Sequence, residues 1–348
     1  MILIVTIAGD LHALVVQQRL RSRGHRDCFI IECDRIAQRD YLSYGVNYRT
    51  VDRILTSERA RVSISDASVL WFRTTRSTQI LDEPIEDENA RMVINNDCRG
   101  GLNGLLAAHF HGKWISTPEA TGRGSDKIGQ LQVAHECGFR VPKTLISQSR
   151  QEVLEFFESC AGQMIVKTVV GSPGPFLQTV KVQDPASLSA ASFEAAPGIY
   201  QEFIPGTDHL RLNCFGPASY AALIHTGDTD WRLNLNVPIR EFAVEAALHE
   251  RVRRVLDSLG LELGIVDLKL TPDGEPVWLE VNPQGQFLFL DAFTKLGLAD
   301  RFAEYLLAER SAQVSTLLSY RRPSRERPSR KDTEARYPEV ATGLLDAD

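Results

Sequence analysis

Between Gly264 and Pro283 the chain reads Gly-Ile-Val-Asp-Leu-Lys-Leu-Thr-Pro-Asp-Gly-Glu-Pro-Val-Trp-Leu-Glu-Val-Asn-Pro, two apolar runs separated by Asp273-Gly274. Asp-Gly between such runs is a strong hairpin signal, because these residues tolerate the positive φ that a tight turn demands. With Asp273 and Gly274 as the two turn residues, Val266 faces Val281, Leu268 faces Leu279 and Leu270 faces Val277. One face is then wholly apolar, and burial pins the register, since a one-residue slip would turn every side chain over. The other face carries Asp267 opposite Glu280, with Asn282 two residues along on the same side. Opposed carboxylates repel unless a cation or a shared proton lies between them. Oxygen donors without His or Cys favour magnesium, so Asp267, Glu280 and Asn282 are the expected metal ligands. The plainer alternative is a solvent-facing hairpin edge.

At 348 residues the chain is long enough for two or three packed units rather than one core. No run approaches the roughly 18 consecutive apolar residues of a membrane span, and Met1–Ala8 is too short for a secretory signal. A cytoplasmic protein without a membrane partner is expected. A net charge of −6 argues against nucleic acid as a partner, although Arg321–Lys331 is locally basic. Cys28, Cys33, Cys98, Cys137, Cys160 and Cys214 form no C-x-x-C pair, which points to reduced thiols and no structural metal.

Ile2–Ile7 is a β-branched run of strand length, followed by Gly9-Asp10 and by apolar positions at helical spacing up to Gly24. Further short strands at Cys28–Glu32 and Ser68–Phe72 predict a small parallel α/β domain over residues 1–115. No G-x-G-x-x-G follows the first strand, so a nucleotide is not expected there. Ser116–Asp126 reads as a linker, with Ser125 or Asp126 capping a helix that stops at Gly138. Beyond it, strands near Met164–Val170, Gln178–Val182, Tyr200–Ile204, Arg211–Phe215 and Tyr220–Ile224 mix with helices near Gln151–Ser159 and Phe242–Leu259, an α+β pattern. Residues 311–348, polar and interrupted by proline, read as a flexible tail.

Lys167 ends an apolar climb and precedes Gly171-Ser-Pro-Gly174, a turn able to bring backbone amides near phosphate. An edge-strand lysine before an ordinary turn fits the same letters. Lys127 opens a helix, where a cation opposes the helix dipole and calls for solvent or an anionic partner. Tyr200-Gln-Glu-Phe-Ile-Pro-Gly206 is a strand stopped by Pro-Gly, whose unpaired backbone groups suit a flat base edge. Asp208 suits a ribose hydroxyl and Arg211 an oxyanion, although a surface ion pair would explain both.

In that order and spacing, these residues together with Trp231-Arg-Leu-Asn234, Asp267 and Glu280-Val-Asn-Pro283 resemble the ATP-grasp carboxylate ligases over roughly residues 116–310. The resemblance implies two α+β lobes clamping ATP, residues 116–199 and 200–310, behind a Rossmann-like pre-ATP-grasp domain. It implies Lys127 and Lys167 on the phosphates, Gln201, Glu202, Phe203 and Ile204 at adenine, and Asp208 and Asn234 in the nucleotide site. Arg211 and Arg232 would then stabilise acyl-phosphate and tetrahedral charge, with Lys167 beside them, while Asp267, Glu280 and Asn282 hold Mg2+. Compared with the ligases that add glutamate to ribosomal protein, Gly171–Gly174 is short and Asn234–Pro238 lacks glycine.

Val69-Leu-Trp-Phe-Arg73, Asp230-Trp-Arg232 and Glu280-Val-Asn-Pro-Gln-Gly-Gln-Phe-Leu are similar to motifs of the microviridin or graspetide maturases, which macrocyclise ribosomal peptides. That likeness implies cross-linking of Asp or Glu to Ser, Thr or Lys in a precursor peptide with a leader segment. Trp71, Arg73 and Arg76 are then candidate peptide contacts, with burial of Trp71 as the alternative. An amino-acid or dipeptide ligase, or a silent nucleotide- or peptide-binding module, would use the same letters. A homodimer is left open.

Overall fold

The computed structural model describes residues 1–37, 42–47, 51–73, 75, 78–170, 177–185 and 193–320. Arg76, the Gly171–Gly174 turn and residues 321–348 lie outside them.

The first strand, Ile2–Thr6, is buried at every position and runs parallel to Cys28–Glu32 on one side and Val69–Phe72 on the other, with Lys113–Ile115 completing a parallel sheet. Strands covered on both faces read as continuous apolar runs, which is what Ile-Leu-Ile-Val is. Asp10 caps the following helix, Leu11–Ser22, by accepting from the His12 N–H. A three-stranded antiparallel sheet (Leu42–Gly45, Val51–Leu55, Arg61–Ser63) and the long helix Glu88–His109 complete this part of the chain; neither had a strong periodic signal.

Two antiparallel sheets follow. One orders Val180–Val182, Met164–Thr168, Gly198–Glu202 and Thr144–Ser147; the other orders Ile239–Phe242, Ala218–His225, Asp208–Phe215, Leu263–Leu270 and Pro276–Asn282. The helix Ala246–Leu259 ends where Gly260 takes φ +74°, and packs Val252, Val255 and Leu256 on the back of the five-stranded sheet. A second core joins that sheet to the N-terminal one: Ile4, Trp71, Phe215, Ile265, Phe287 and Phe302 share one cluster. Each such fully buried side chain contributes about 2 kcal/mol, so the two parts are held as one body.

The helix Leu298–Tyr320 runs through the first ten residues of the segment expected to be a flexible tail. Leu298, Phe302 and Leu306 are fully buried, and Arg310 forks onto Asp27 at 2.9 and 2.6 Å. A helix nucleated by packing propagates cheaply through polar residues, so composition alone misplaced its end.

The hairpin also departs from expectation near its turn. Three residues, Pro272, Asp273 and Gly274, form the loop, with Gly274 at φ +84° and the Thr271 N–H donating to the Glu275 carbonyl at 3.0 Å. Leu268 therefore faces Trp278 and Leu270 faces Pro276, not Leu279 and Val277. A bulge between Asp267 and Leu268 leaves Leu279 as the extra residue, and beyond it Asp267 faces Glu280 and Val266 faces Val281.

Candidate active site

The cleft between the two antiparallel sheets encloses about 340 Å3, with Lys127, Lys167 and Gln201 on one side and His209, Asp230, Asp267, Glu280 and Asn282 on the other. Asp126 caps the helix that starts at Lys127 by accepting from the Ile128 N–H, and the Lys127 Nζ donates to the Thr168 carbonyl at 3.0 Å. Lys167 stands in the Met164–Thr168 strand, and its amine has no hydrogen-bond or ion-pair partner among the described residues. Burial lowers its amine's pKa, Lys127 and Arg232 lower it further, and Glu280 and Asp267 oppose them. Two lysines sharing one small space are stabilised by an anion between them.

Asp267 is half-buried, and desolvation first, then Glu280, raises its carboxyl pKa against the pull of Arg211. Both its oxygens accept from the Arg211 Nη1 at 2.8 Å. The Glu280 carboxylate has no hydrogen-bond or ion-pair partner among the described residues, where the Asn282 Oδ1 accepts only the Gln284 N–H, at 3.1 Å. No group of three His, Cys, Asp or Glu side chains suited to a metal ion occurs among the described residues. Here the third donor is an amide. Two carboxylates and an amide oxygen, one carboxylate unpartnered, fit a hard divalent cation.

A second cavity of about 430 Å3 adjoins the first, sharing Trp231, Arg232, Asp267, Glu280 and Asn282 with it. The rest of its wall is Arg211, Leu235, Gln286 and Phe289. Trp231 and Phe289 stack at 5.7 Å, and the Arg211 guanidinium lies 5.0 and 5.7 Å from their centroids. The Arg211 Nη2 donates to the Gln286 carbonyl at 2.8 Å, and Arg232 forks onto Asp230 at 2.8 and 2.6 Å. Asp230 in turn accepts the Thr179 N–H at 3.1 Å, tying the two sheets together across the cleft.

Of the residues expected at adenine and ribose, only Gln201 lines the cleft. Gln201 is buried and donates to Thr144, but the N–H groups of Glu202 and Phe203 are already committed to the carbonyls of Lys143 and Gln163. The Glu202 carboxylate pairs with Arg140, and Glu202, Phe203 and Ile204 are not on the cavity wall. Asp208 holds His225 at 2.6 Å outside the cleft, and Asn234 is exposed, its side chain accepting the Asn236 N–H.

Trp71 and Arg73 do not offer a peptide surface. Trp71 is fully buried, edge-on to Phe302 at 4.6 Å, and its indole N–H donates to Gln284 at 3.3 Å. Arg73 is buried against Asp10, at 2.6 Å, and reaches the Gln284 carbonyl at 3.4 Å. Both are struts between the N-terminal sheet and the segment after Asn282. Sequence reasoning gave no role to Asp10, Gln130, His209 or Phe289, and quoted Asp230 only as part of the Asp230-Trp-Arg232 motif.

Macrocyclase MdnC from Microcystis aeruginosa, solved with its precursor peptide MdnA, superposes with a TM-score of 0.77 at 22% identity over 88% of this chain and 98% of that one. The chain has the ATP-grasp fold. An ATP-grasp ligase from Chryseobacterium gregarium, associated with ribosomal peptide modification and solved with ADP and a leader and core peptide, gives 0.76 at 22% identity over 88% and 96%. A probable alpha-L-glutamate ligase from Picosynechococcus is 24% identical over 199 residues, 55% of this chain and 66% of that protein. The match thus spans just under two thirds of that curated relative's length. No protein-family model matches. Among the described residues no helix is long and apolar enough to cross a membrane.

Proposed function

We propose that the chain is an ATP-dependent carboxylate ligase that joins Asp or Glu side chains of a ribosomal precursor peptide to Ser, Thr or Lys side chains, as ester or amide. The observation that carries this is the meeting of two cavities at Asp267, Glu280 and Asn282, one reached by Lys127 and Lys167 and the other by Arg211 and Phe289, with Trp231 and Arg232 on the wall of both. In this reading residues 1–115 are the Rossmann-like unit and residues 116–199 and 200–310 the two clamping lobes.

Lys127 and Lys167 take the phosphates of ATP, Gln201 and His209 line the rest of its cavity, and Asp267, Glu280 and Asn282 hold Mg2+. A bound Mg2+ supplies charge neutralisation at the transferring phosphoryl group. Arg211 and Arg232 orient the peptide carboxylate, one oxygen of which attacks the γ-phosphorus as ADP leaves. A hydroxyl or amine then attacks the carbonyl carbon of the acyl phosphate, losing its proton as phosphate departs. Lys167 and the arginines neutralise charge at both steps. The apolar wall of Trp231, Leu235 and Phe289 keeps the acyl phosphate from water.

Support for a peptide substrate comes from the two solved neighbours, each bound to a precursor or leader and core peptide. The test is incubation with ATP, Mg2+ and a candidate precursor from a neighbouring reading frame, read by intact mass. A loss of about 18 Da per linkage, one water for each condensation, is expected with one ADP released. The similarity to a probable glutamate ligase favours a second reading. A peptide that instead gains glutamate, or free amino acids joined to one another, would replace the first reading with that one. Tight ADP binding without turnover on any acceptor would leave a binding module.

A further inference from the structure

The strand Pro276–Asn282 is the edge of the five-stranded sheet, so one side of it has no neighbouring strand to satisfy its backbone. At Val281, between Glu280 and Asn282, that side is taken by a single side chain. The Val281 N–H donates to the Gln130 Oε1, and the Gln130 Nε2 donates back to the Val281 carbonyl at 3.4 Å and to the Gly124 carbonyl at 3.3 Å. Gln130 is buried and stands one turn into the helix that opens with Lys127. A second contact fixes the same junction: a Cβ on Gly124 would lie 2.7 Å from the Pro283 Cγ and 2.9 Å from Leu261, so only glycine lets these chains approach.

We infer that Gln130 is a positioning residue that sets Glu280 and Asn282 as metal ligands and holds them in register with Lys127. The inference rests on the metal reading proposed above. Gln130 touches neither nucleotide nor metal; it acts through the Val281 peptide, whose rotation would swing both flanking side chains. A buried amide is suited to this because it is donor and acceptor at once and so reads both backbone groups of one residue. A methionine of similar length leaves the Val281 N–H and carbonyl buried and unpaired.

The test uses the full chain with ADP and Mn2+ as probes. Groups that orient metal ligands typically change affinity by about tenfold or more when removed. Gln130→Met is expected to weaken Mn2+ binding in the presence of ADP about tenfold, while metal-free ADP affinity, read in EDTA, changes less than about twofold. Gly124→Ala, which presses on Pro283 beside the same junction, is expected to shift Mn2+ binding in the same direction. It serves as the readout should Gln130→Met fail to fold. Unshifted Mn2+ affinity in a folded variant with a lowered melting temperature would make Gln130 a structural residue only and overturn the proposal. Wild-type chain that binds ADP but no Mn2+ would overturn the metal reading and this proposal with it.

Discussion

Asp267 and Glu280 face each other across the hairpin although the strands nearer the turn are one residue out of step with them. The loop is longer by one residue than Asp273-Gly274 alone suggests, and the bulge at Leu279 returns that residue before the carboxylates are reached. The bulge also puts Leu279 into the cleft wall with Asp267 and Glu280, where ideal alternation would have sent it to the apolar core. Two departures from the simplest hairpin thus cancel at the pair that matters chemically. Repulsion between the carboxylates is the strain that a cation would relieve.

Glu280→Gln removes a ligand charge and that repulsion together. ADP release at ordinary Mg2+ is expected to disappear, while the melting temperature of the metal-free protein holds or rises. Differential scanning calorimetry beside a coupled ADP assay reads both. Near-normal turnover would mean that the hairpin carboxylates hold no metal.

Lys167→Met should weaken ADP binding about tenfold, the loss of one charge-assisted contact, without lowering stability. Burial lowers this amine's pKa, so its charge costs the folded state free energy and its removal should not destabilise. Calorimetric titration with ADP and a urea melt separate the two effects. A stability loss with unchanged affinity would mark Lys167 as a packing residue.

The hairpin was legible because turn chemistry and alternation are local, and Asp267, Glu280 and Asn282 lie within 16 positions of one another. The roles of Trp71 and Arg73 were not. Their partners are Asp10 and Gln284, 63 and 213 positions away, and nothing in Trp-Phe-Arg distinguishes a buried strut from an exposed docking patch. Gln130 was silent for the same reason: its partner Val281 is 151 positions away, and a glutamine on a helix is ordinarily solvated. Glu202 ends the strand Gly198–Glu202, short of the expected end at Ile204, and Phe203 lies just past it. Their N–H groups, however, went to carbonyls of other segments that no local pattern reveals.

The Arg73–Asp10 pair is buried on both sides, with 4% and 8% of the side chains exposed. Arg73→Leu strands the Asp10 carboxylate and is expected to cost about 3–5 kcal/mol in urea unfolding. Asp10→Asn in the same chain should recover most of that, because asparagine still caps the helix at His12 and carries no charge. Failure of the second change to recover stability would mean that Arg73 acts by packing on Trp71, whose ring lies 5.1 Å away.

His12 and His209 set the acid limit of the fold. The His12 Nε2 accepts the N–H groups of Phe287 and Leu288, and the His209 Nε2 faces the Lys269 Nζ at 2.8 Å, so both rings are held neutral. Burial first, then Arg73 for His12 and Lys269 for His209, takes both from 6.5 to about 4, with nearby aspartates only partly opposing. The unfolded chain takes up these protons below about pH 6.5 and the folded chain does not until about pH 4. Stability should therefore fall with pH across that window by about 1.4 kcal/mol per pH unit for each histidine. Asp267, with its raised pKa, gains protons first in the folded state and works in the opposite sense, so the wild-type slope is a difference. His12→Gln isolates one part: glutamine keeps an acceptor for the two N–H groups but does not titrate. Urea melts between pH 4.5 and 6.5 should show the variant's slope shallower by about 1.4 kcal/mol per pH unit. Parallel slopes would mean that His12 protonates as readily folded as unfolded, and that the segment after Asn282 is not held by a neutral imidazole.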